Sequence, residues 1–371
     1  MTRILLASHS PTLTTGYGRV VRMLCQELRK NHHDVVVLGL GYDGRPHDLP
    51  VNILPVSSDF TSGISQALST RSFDVLLTIG DPWMFPGVPD LLRSSTPRIP
   101  WCAYFPVDGF PLPGEWKRWI ARVDVPVVFS AFARRVVFEG TGISPAVVYH
   151  GVDRTVFKPT DVTSAKQRVG VTGKFVVGCV AANQARKNLP ALVKAFARFA
   201  QGKPDVILYL HTPLLGNWDI GELVERFGVE PQTRLTVGLD PLCGVPDETL
   251  VTIYNSFDVF VLPTMAEGFG LPLVEARACG VPVLATDYSA CPELLPDPWQ
   301  RLKVKDLLIL SRNVEQALVD EDDLTGKLNT LYHDSPMRSV LRAAGFDART
   351  LCEWSHTTRL LLDLIDRAAG A

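Results

Sequence analysis

FVLPTMAEGFGLPLVEARA, residues Phe260 to Ala278, is the stretch that decides how this chain folds. Phe260, Val261 and Leu262 end a short apolar run, which suits a strand of a parallel sheet covered on both faces. Gly268 and Gly270 let the loop backbone come close to a ligand. Leu271 and Pro272 open a helix; Pro belongs in a first turn because its missing N–H has no partner there. The N–H groups of such a helix start make an anion site. Glu267 precedes the loop and Glu275 lies about one turn into the helix, so two carboxylates able to bind hydroxyls bracket the amides. Strand, glycine loop and helix also punctuate any α/β protein, and a Glu near a helix start also favours the macrodipole.

The stretch resembles the E-x7-E signature of retaining glycosyltransferases of family 4, which have the GT-B fold. It stands here as EGFGLPLVE, Glu267 to Glu275, and GVPVLATDYSACPELL, Gly280 to Leu295, continues the pattern. The resemblance implies that Glu267 faces the donor sugar hydroxyls, that Glu275 holds the ribose, and that the amides of Phe269, Gly270 and Leu271 face the sugar and diphosphate. Glu293 matches a late Glu of the family and is read as structural.

Upstream, Phe175 to Val180 reads as a buried strand, followed by AANQARKNLPALVKAFARF, whose helix buries Leu192, Val193, Phe196 and Phe199. Arg186 and Lys187 precede that helix, where two cations beside helix amides would neutralise a diphosphate leaving group or simply stand as solvated surface charges. Arg brings bidentate contacts and Lys a point charge. KNLPALVKAF matches the family's K-G-x-x-x-L-x-x-A-F run through Lys187. The Arg that the family carries about five residues earlier is replaced by Ala182, so either Arg186 supplies the second charge or diphosphate binding is weaker. Val206 to His211 and Leu235 to Val237 read as further strands, and the side chain of His211 or Thr212 either reaches a nucleotide or, for His211, is equally read as a loop histidine satisfied by its neighbours.

In the first half, Arg3 to Ser8 reads as a strand. A helix follows with Val20, Val21, Leu24, Cys25 and Leu28 on one stripe. Gly16 and Gly18, around Tyr17, fall just before that helix, at the first crossing of a doubly wound domain. The dinucleotide fingerprint is incomplete, because Val21 stands where its third glycine belongs, and no acid ends the second strand. That argues against a nicotinamide enzyme. The family has a glycine-rich loop here that touches the donor phosphate, and Gly16 to Gly18 are similar to it. Strands at Val35 to Leu40, Asn52 to Pro55, Val75 to Ile79, Ile99 to Phe105, Val125 to Phe129 and Val147 to Tyr149 complete an α/β alternation.

Two loops rich in aromatics and Pro follow strands, at the edge where open α/β sheets bind ligands: GDPWMFPGVPD with Trp83 and YFPVDGFPLPGEW with Asp108 and Phe110. Many family members have a His where Asp108 stands, near the reacting sugar. Asp-Gly is equally a turn pair. Tyr17, Trp83, Asp108 and Phe110 are the acceptor-side candidates. HGVD, His150 to Asp153, resembles the family's hinge, with His150 read as structural.

The 371 residues favour two domains, and 46% hydrophobic against 20% charged residues fit a well-cored protein. A net charge of −2 invites neither nucleic acid nor anionic lipid in general. Seven scattered Cys without C-x-x-C pairs or zinc spacing suit reduced thiols in a cytoplasm. No signal peptide or membrane span is expected. Asp320, Glu321 and Asp322 read as an acidic helix start rather than a metal-binding D-x-D.

The sequence therefore predicts an α/β protein of GT-B class. It has two facing Rossmann-like domains (1–155 on the acceptor side, 156–350 binding the nucleotide sugar) and a C-terminal helix, 351–371, returning to the first. The catalytic candidates are Asp108, Glu267, Arg186 and Lys187. The donor-binding set is Gly16, Gly18, Arg186, Lys187, Glu267, Gly268, Phe269, Gly270, Leu271 and Glu275. The resemblance implies transfer of a hexose or similar sugar from a UDP- or GDP-sugar, with retention and without a metal or other cofactor. The acceptor is left open among saccharide, small molecule, lipid and a hydroxymethylated base in phage-type DNA, which the charge does not indicate. Donor base and oligomeric state are left open too. A sugar-nucleotide epimerase of the same fold and a non-catalytic nucleotide-sugar-binding protein are the competing readings.

Overall fold

In the computed structural model, which describes residues 2–236, 239, 244–295, 297–346 and 353–370, the chain divides into two compact units. The first comprises Met1–Gly151, Arg312–Val314 and Cys352–Ala371, and the second Val152–Ser311 and Glu315–Leu351. The first crossing thus follows Gly151, a few residues ahead of the boundary anticipated at 155. The boundary anticipated at 350 lies outside the described residues.

The sheet of the first unit has seven strands: β1 (Arg3–His9), β2 (Asp34–Leu40), β3 (Asn52–Val56), β4 (Val75–Ile79), β5 (Trp101–Phe105), β6 (Val125–Val128) and β7 (Ala146–Val147). Their order is β3-β2-β1-β4-β5-β6-β7, with every pair parallel. The second unit repeats the plan with β8 (Phe175–Val180), β9 (Val206–His211), β10 (Thr233–Leu235), β11 (Val259–Leu262), β12 (Val283–Thr286) and β13 (Arg301–Leu302). Its order is β10-β9-β8-β11-β12-β13, again all parallel. Both are doubly wound Rossmann-like sheets, so the GT-B class read from the sequence is the one found. The central strands are continuous apolar runs because helices cover both faces, and β4, β8, β9 and β11 are buried at every residue.

This order fixes where a ligand belongs. In each unit the chain leaves the first strand toward one edge and later returns to that strand's other side. Loops leaving the carboxyl ends of β1 and β4, and of β8 and β11, therefore diverge and open a crevice.

The C-terminal helix, Trp354–Gly370, belongs to the first unit and buries Leu361, Leu362 and Ile365. Each such side chain is worth about 1.5–3 kcal/mol of transfer free energy. Its start is docked on the segment before the crossing: Thr357 Oγ1 donates to the Tyr149 carbonyl at 2.8 Å. A Cβ on Gly151 would lie 2.3 Å from the Trp354 nitrogen.

One local reading changes. The first helix runs Gly16–Lys30, capped by Thr15, so Gly16 and Gly18 lie inside its first turn and not before it. A side chain at Gly18 would strike the Leu13 carbonyl oxygen at 2.4 Å, which gives that glycine a packing reason. The last strand before the second unit's final helices is a hairpin, β14 (Val304–Ile309) against β15 (Glu315–Val319), that the sequence pattern did not reveal. Asp320 caps helix Glu321–His333 by accepting from the amides of Asp322 and Asp323. Val237, expected to end a strand, lies outside the described residues. Among the described residues, no helix is long and apolar enough to cross a membrane.

Candidate functional site

In the second unit, the loop after β8 turns through a short 3-10 segment, Ala185–Lys187, before helix Leu189–Phe199. The loop after its neighbour β11 is stitched to that segment. Met265 N–H donates to the Arg186 carbonyl at 2.6 Å, and Thr264 Oγ1 donates to the same oxygen at 3.0 Å. Arg186 Nη1 returns a bond to the Ala266 carbonyl at 3.0 Å. This backbone lacing sets Glu267 between two cations: Arg186 Nη1 lies 3.2 Å from Oε2, and the Lys187 ammonium contacts Oε1. Ser289 Oγ accepts the Glu267 amide at 2.8 Å, fixing the loop from its other side.

Glu267 and Lys187 are only 4% and 6% exposed, so Lys187 is not a solvated surface charge. Burial alone would push the Glu267 carboxyl up, but Lys187 and Arg186 outweigh it and hold the group below its ordinary value, ionised. Burial and then the Arg186 charge lower the Lys187 pKa, and Glu267 opposes both. Two cations against one carboxylate leave the cluster one positive charge in excess, partly exposed through Arg186, whose side chain is 35% exposed. Such an arrangement is chemically suited to an anion.

The loop ends at Gly270, whose φ of +106° is left-handed, the region glycine adopts without strain. Gly270 is the N-cap of helix Leu271–Ala278; no side chain caps it, and Pro272 sits in its first turn. Gly268 is half-buried, Phe269 buried and Leu271 half-buried beside it. The helix's one buried acid, Glu275, is 5% exposed and accepts a bond from the Tyr254 hydroxyl at Oε2, 2.8 Å away. Thus Arg186, Lys187, Glu267 and the glycine-loop helix start share one switch point, with Glu275 a turn further along.

His211 is buried at the carboxyl end of β9, its Nδ1 2.9 Å from Thr236 Oγ1. Thr212 is buried too. Asn183 pins the loop that follows them, bonding the carbonyls of Pro213 and Trp218 and the amide of Trp218.

At the switch point of the first unit, the Tyr17 hydroxyl donates to Asp81 Oδ2 at 2.8 Å, tying the loop after β4 to the first helix. His9 meets Tyr17 edge-on at 5.4 Å and Thr15 Oγ1 at 3.1 Å. Trp83 and Phe110, on loops after the adjacent strands β4 and β5, are 54% and 41% exposed, and Asp108, two residues before Phe110, is half-buried. Gly16 has nothing within 4 Å of a Cβ position. His150 is buried among Tyr104, Phe129 and Trp354, with Nδ1 2.8 Å from the Tyr104 hydroxyl; burial lowers its pKa to about 3, so it stays neutral.

Tyr254, Ser289 and Asp81 were not singled out from the sequence. Each acts through a hydroxyl or carboxylate whose partner comes from another element, and no local spacing announces such a pair.

The family model described as Glycosyl transferases group 1 matches residues 161–346, half of the chain. A serotype-specific mannosyltransferase of Escherichia coli is 26% identical over 253 residues, 65% of this chain and 28% of that protein. A D-inositol 3-phosphate glycosyltransferase of Stackebrandtia nassauensis is 29% identical over 234 residues, 59% of this chain and 48% of that protein. The chain therefore spans less than half the length of either relative. Among solved structures, a sucrose-phosphate synthase from Thermosynechococcus elongatus superposes with a TM-score of 0.79 at 17% identity, covering 99% of both chains, a likeness of fold.

Proposed function

The chain belongs to the group 1 glycosyl transferases, and from that premise we propose that it is a retaining, family 4-type enzyme. It moves a hexose or similar sugar from a nucleotide-diphosphate sugar to an acceptor hydroxyl. The observation that carries this reading is the cluster of Arg186, Lys187 and Glu267 beside the open helix start at Gly270. Breaking the anomeric bond loads negative charge onto the departing diphosphate, and preorganised cations and amides are the group types that stabilise it. Arg186, Lys187 and the amides of Phe269, Gly270 and Leu271 take that charge, so the step calls for no metal.

Glu267, fixed and ionised between its cations, accepts bonds from the donor sugar hydroxyls, and Glu275 accepts from the ribose. A carboxylate committed to ribose is not a nucleophile. Retention then proceeds on the front face, with the leaving phosphate oxygen receiving the acceptor's proton as the new glycosidic bond forms. In the first unit, Trp83 and Phe110 offer faces for an acceptor ring, and Asp108 an acceptor for its hydroxyl. UDP- and GDP-sugars are the donors to test, and saccharide, small-molecule, lipid and hydroxymethyl-DNA acceptors the panel.

The test is incubation of the chain with labelled UDP- and GDP-sugars and each acceptor, reading product and anomeric configuration by NMR. The expected result is an α-linked product from an α-linked donor. Inversion would remove the retaining assignment, and no consumption of any donor would remove the transferase assignment.

A further inference from the structure

We infer that Tyr254 is a positioning residue: it holds the Glu275 carboxylate in the orientation that reads the ribose, and so sets the site's preference for ribonucleotides over deoxyribonucleotides. The inference rests on the proposed role of Glu275 and deepens it.

Tyr254 lies on helix Asp247–Asn255 and is fully buried. Its ring is held by Phe157, Phe257 and Phe260 at centroid distances of 6.2, 6.1 and 5.9 Å, each close to edge-on. The next residue locks the end of the helix. Asn255 Oδ1 accepts the Thr160 amide at 2.8 Å, and its Nδ2 donates to the Lys158 carbonyl at 3.1 Å. The phenol oxygen therefore has one position, 2.8 Å from Glu275 Oε2.

A buried carboxylate needs donors, and a hydrogen bond to an ionised group is stronger than one between neutral groups. Glu has three side-chain torsions, whose freedom is lost on ordering. A rigid donor on a neighbouring helix removes that cost before ligand arrives. The phenol has one proton, and in this geometry it is spent on Glu275. Replacing Tyr by Phe keeps the ring packing and deletes only that donor. The carboxylate then loses the donor that orients Oε2, so a ribose hydroxyl meets a misaligned acceptor. A sugar lacking that hydroxyl has little to lose.

The experiment is calorimetric titration of UDP, GDP and their 2′-deoxy counterparts into the parent chain, Tyr254→Phe, Glu275→Gln and the double variant, with melting temperatures recorded for each. The parent is expected to favour the ribonucleotide by about tenfold, the scale of one hydrogen bond to a charged group. Tyr254→Phe is expected to weaken the ribonucleotide by about that factor and the deoxynucleotide by less than about twofold. The double variant should bind no worse than Glu275→Gln, because Tyr254 acts through Glu275. An unchanged preference in Tyr254→Phe, or an equal loss for both sugars, overturns the role. So does a preference that survives in Glu275→Gln, a result that does not depend on Tyr254→Phe folding. Binding of neither diphosphate to the parent chain removes the reading of Glu275 itself, and this role with it.

Discussion

The Lys187 ammonium rests on the Glu267 carboxylate with both side chains almost wholly buried, and Arg186 reaches the second carboxylate oxygen at 3.2 Å. Removing one partner of a buried pair leaves an uncompensated charge, which costs about 3–5 kcal/mol. Glu267→Leu strands the buried Lys187 ammonium and is therefore expected to lower the stability of the second unit by roughly that amount in urea unfolding. Lys187→Met with Glu267→Leu should recover most of it. A double variant no more stable than the single one would show that the pair is not the source of the cost.

Gly18 and Gly16 separate packing from ligand approach. Gly18→Ala sets a methyl 2.4 Å from a backbone oxygen, so a loss of about 1–3 kcal/mol is expected from overpacking. Gly16→Ala meets nothing and sits in a helix, so stability should hold or rise by up to about 1 kcal/mol. If Gly16 admits the donor phosphate, Gly16→Ala raises the donor KM although it leaves the melting temperature intact. An unchanged KM would return Gly16 to an ordinary helix start.

His150 makes the first unit sensitive to acid. Its folded pKa, lowered to about 3 by burial, lies below the ordinary value of 6.5. Between these values the unfolded chain binds a proton that the folded chain refuses, so stability is present above about 6.5 and is lost as pH falls toward about 3. The loss is on the order of a few kcal/mol. Urea unfolding of the parent chain between pH 7 and pH 4 should show the decline, and His150→Phe should flatten it. Parallel profiles for the two chains would contradict the assignment.

Much of this fold was legible because its signals are local. The runs Val75–Ile79, Phe175–Val180 and Val206–His211 coincide with strands, since central parallel strands are apolar throughout. The stripe Val20, Val21, Leu24, Cys25 and Leu28 is the buried face of the first helix. The hairpin β14 and β15 was not legible. Val-Lys-Asp-Leu-Leu-Ile has no clean period of two, and Leu307 and Ile309 remain exposed, so burial does not write its pattern there.

At the candidate site, the loop glycines, Arg186, Lys187 and the two Glu stood out because their spacing is short. What spacing does not show is pairing across strands. That Glu267 is the counter-ion of both cations, or that Tyr254 serves Glu275, depends on β8 lying beside β11 and on the helices that follow.

The central claim, that Arg186 and Lys187 receive a diphosphate, is tested most directly by titrating UDP and GDP against UMP and GMP into the parent chain and Arg186→Ala. The account predicts that the parent binds one diphosphate at least about tenfold more tightly than its monophosphate, and that Arg186→Ala loses most of that preference with the monophosphate little changed. Equal affinities for mono- and diphosphate in the parent, or a preference untouched by Arg186→Ala, would contradict it.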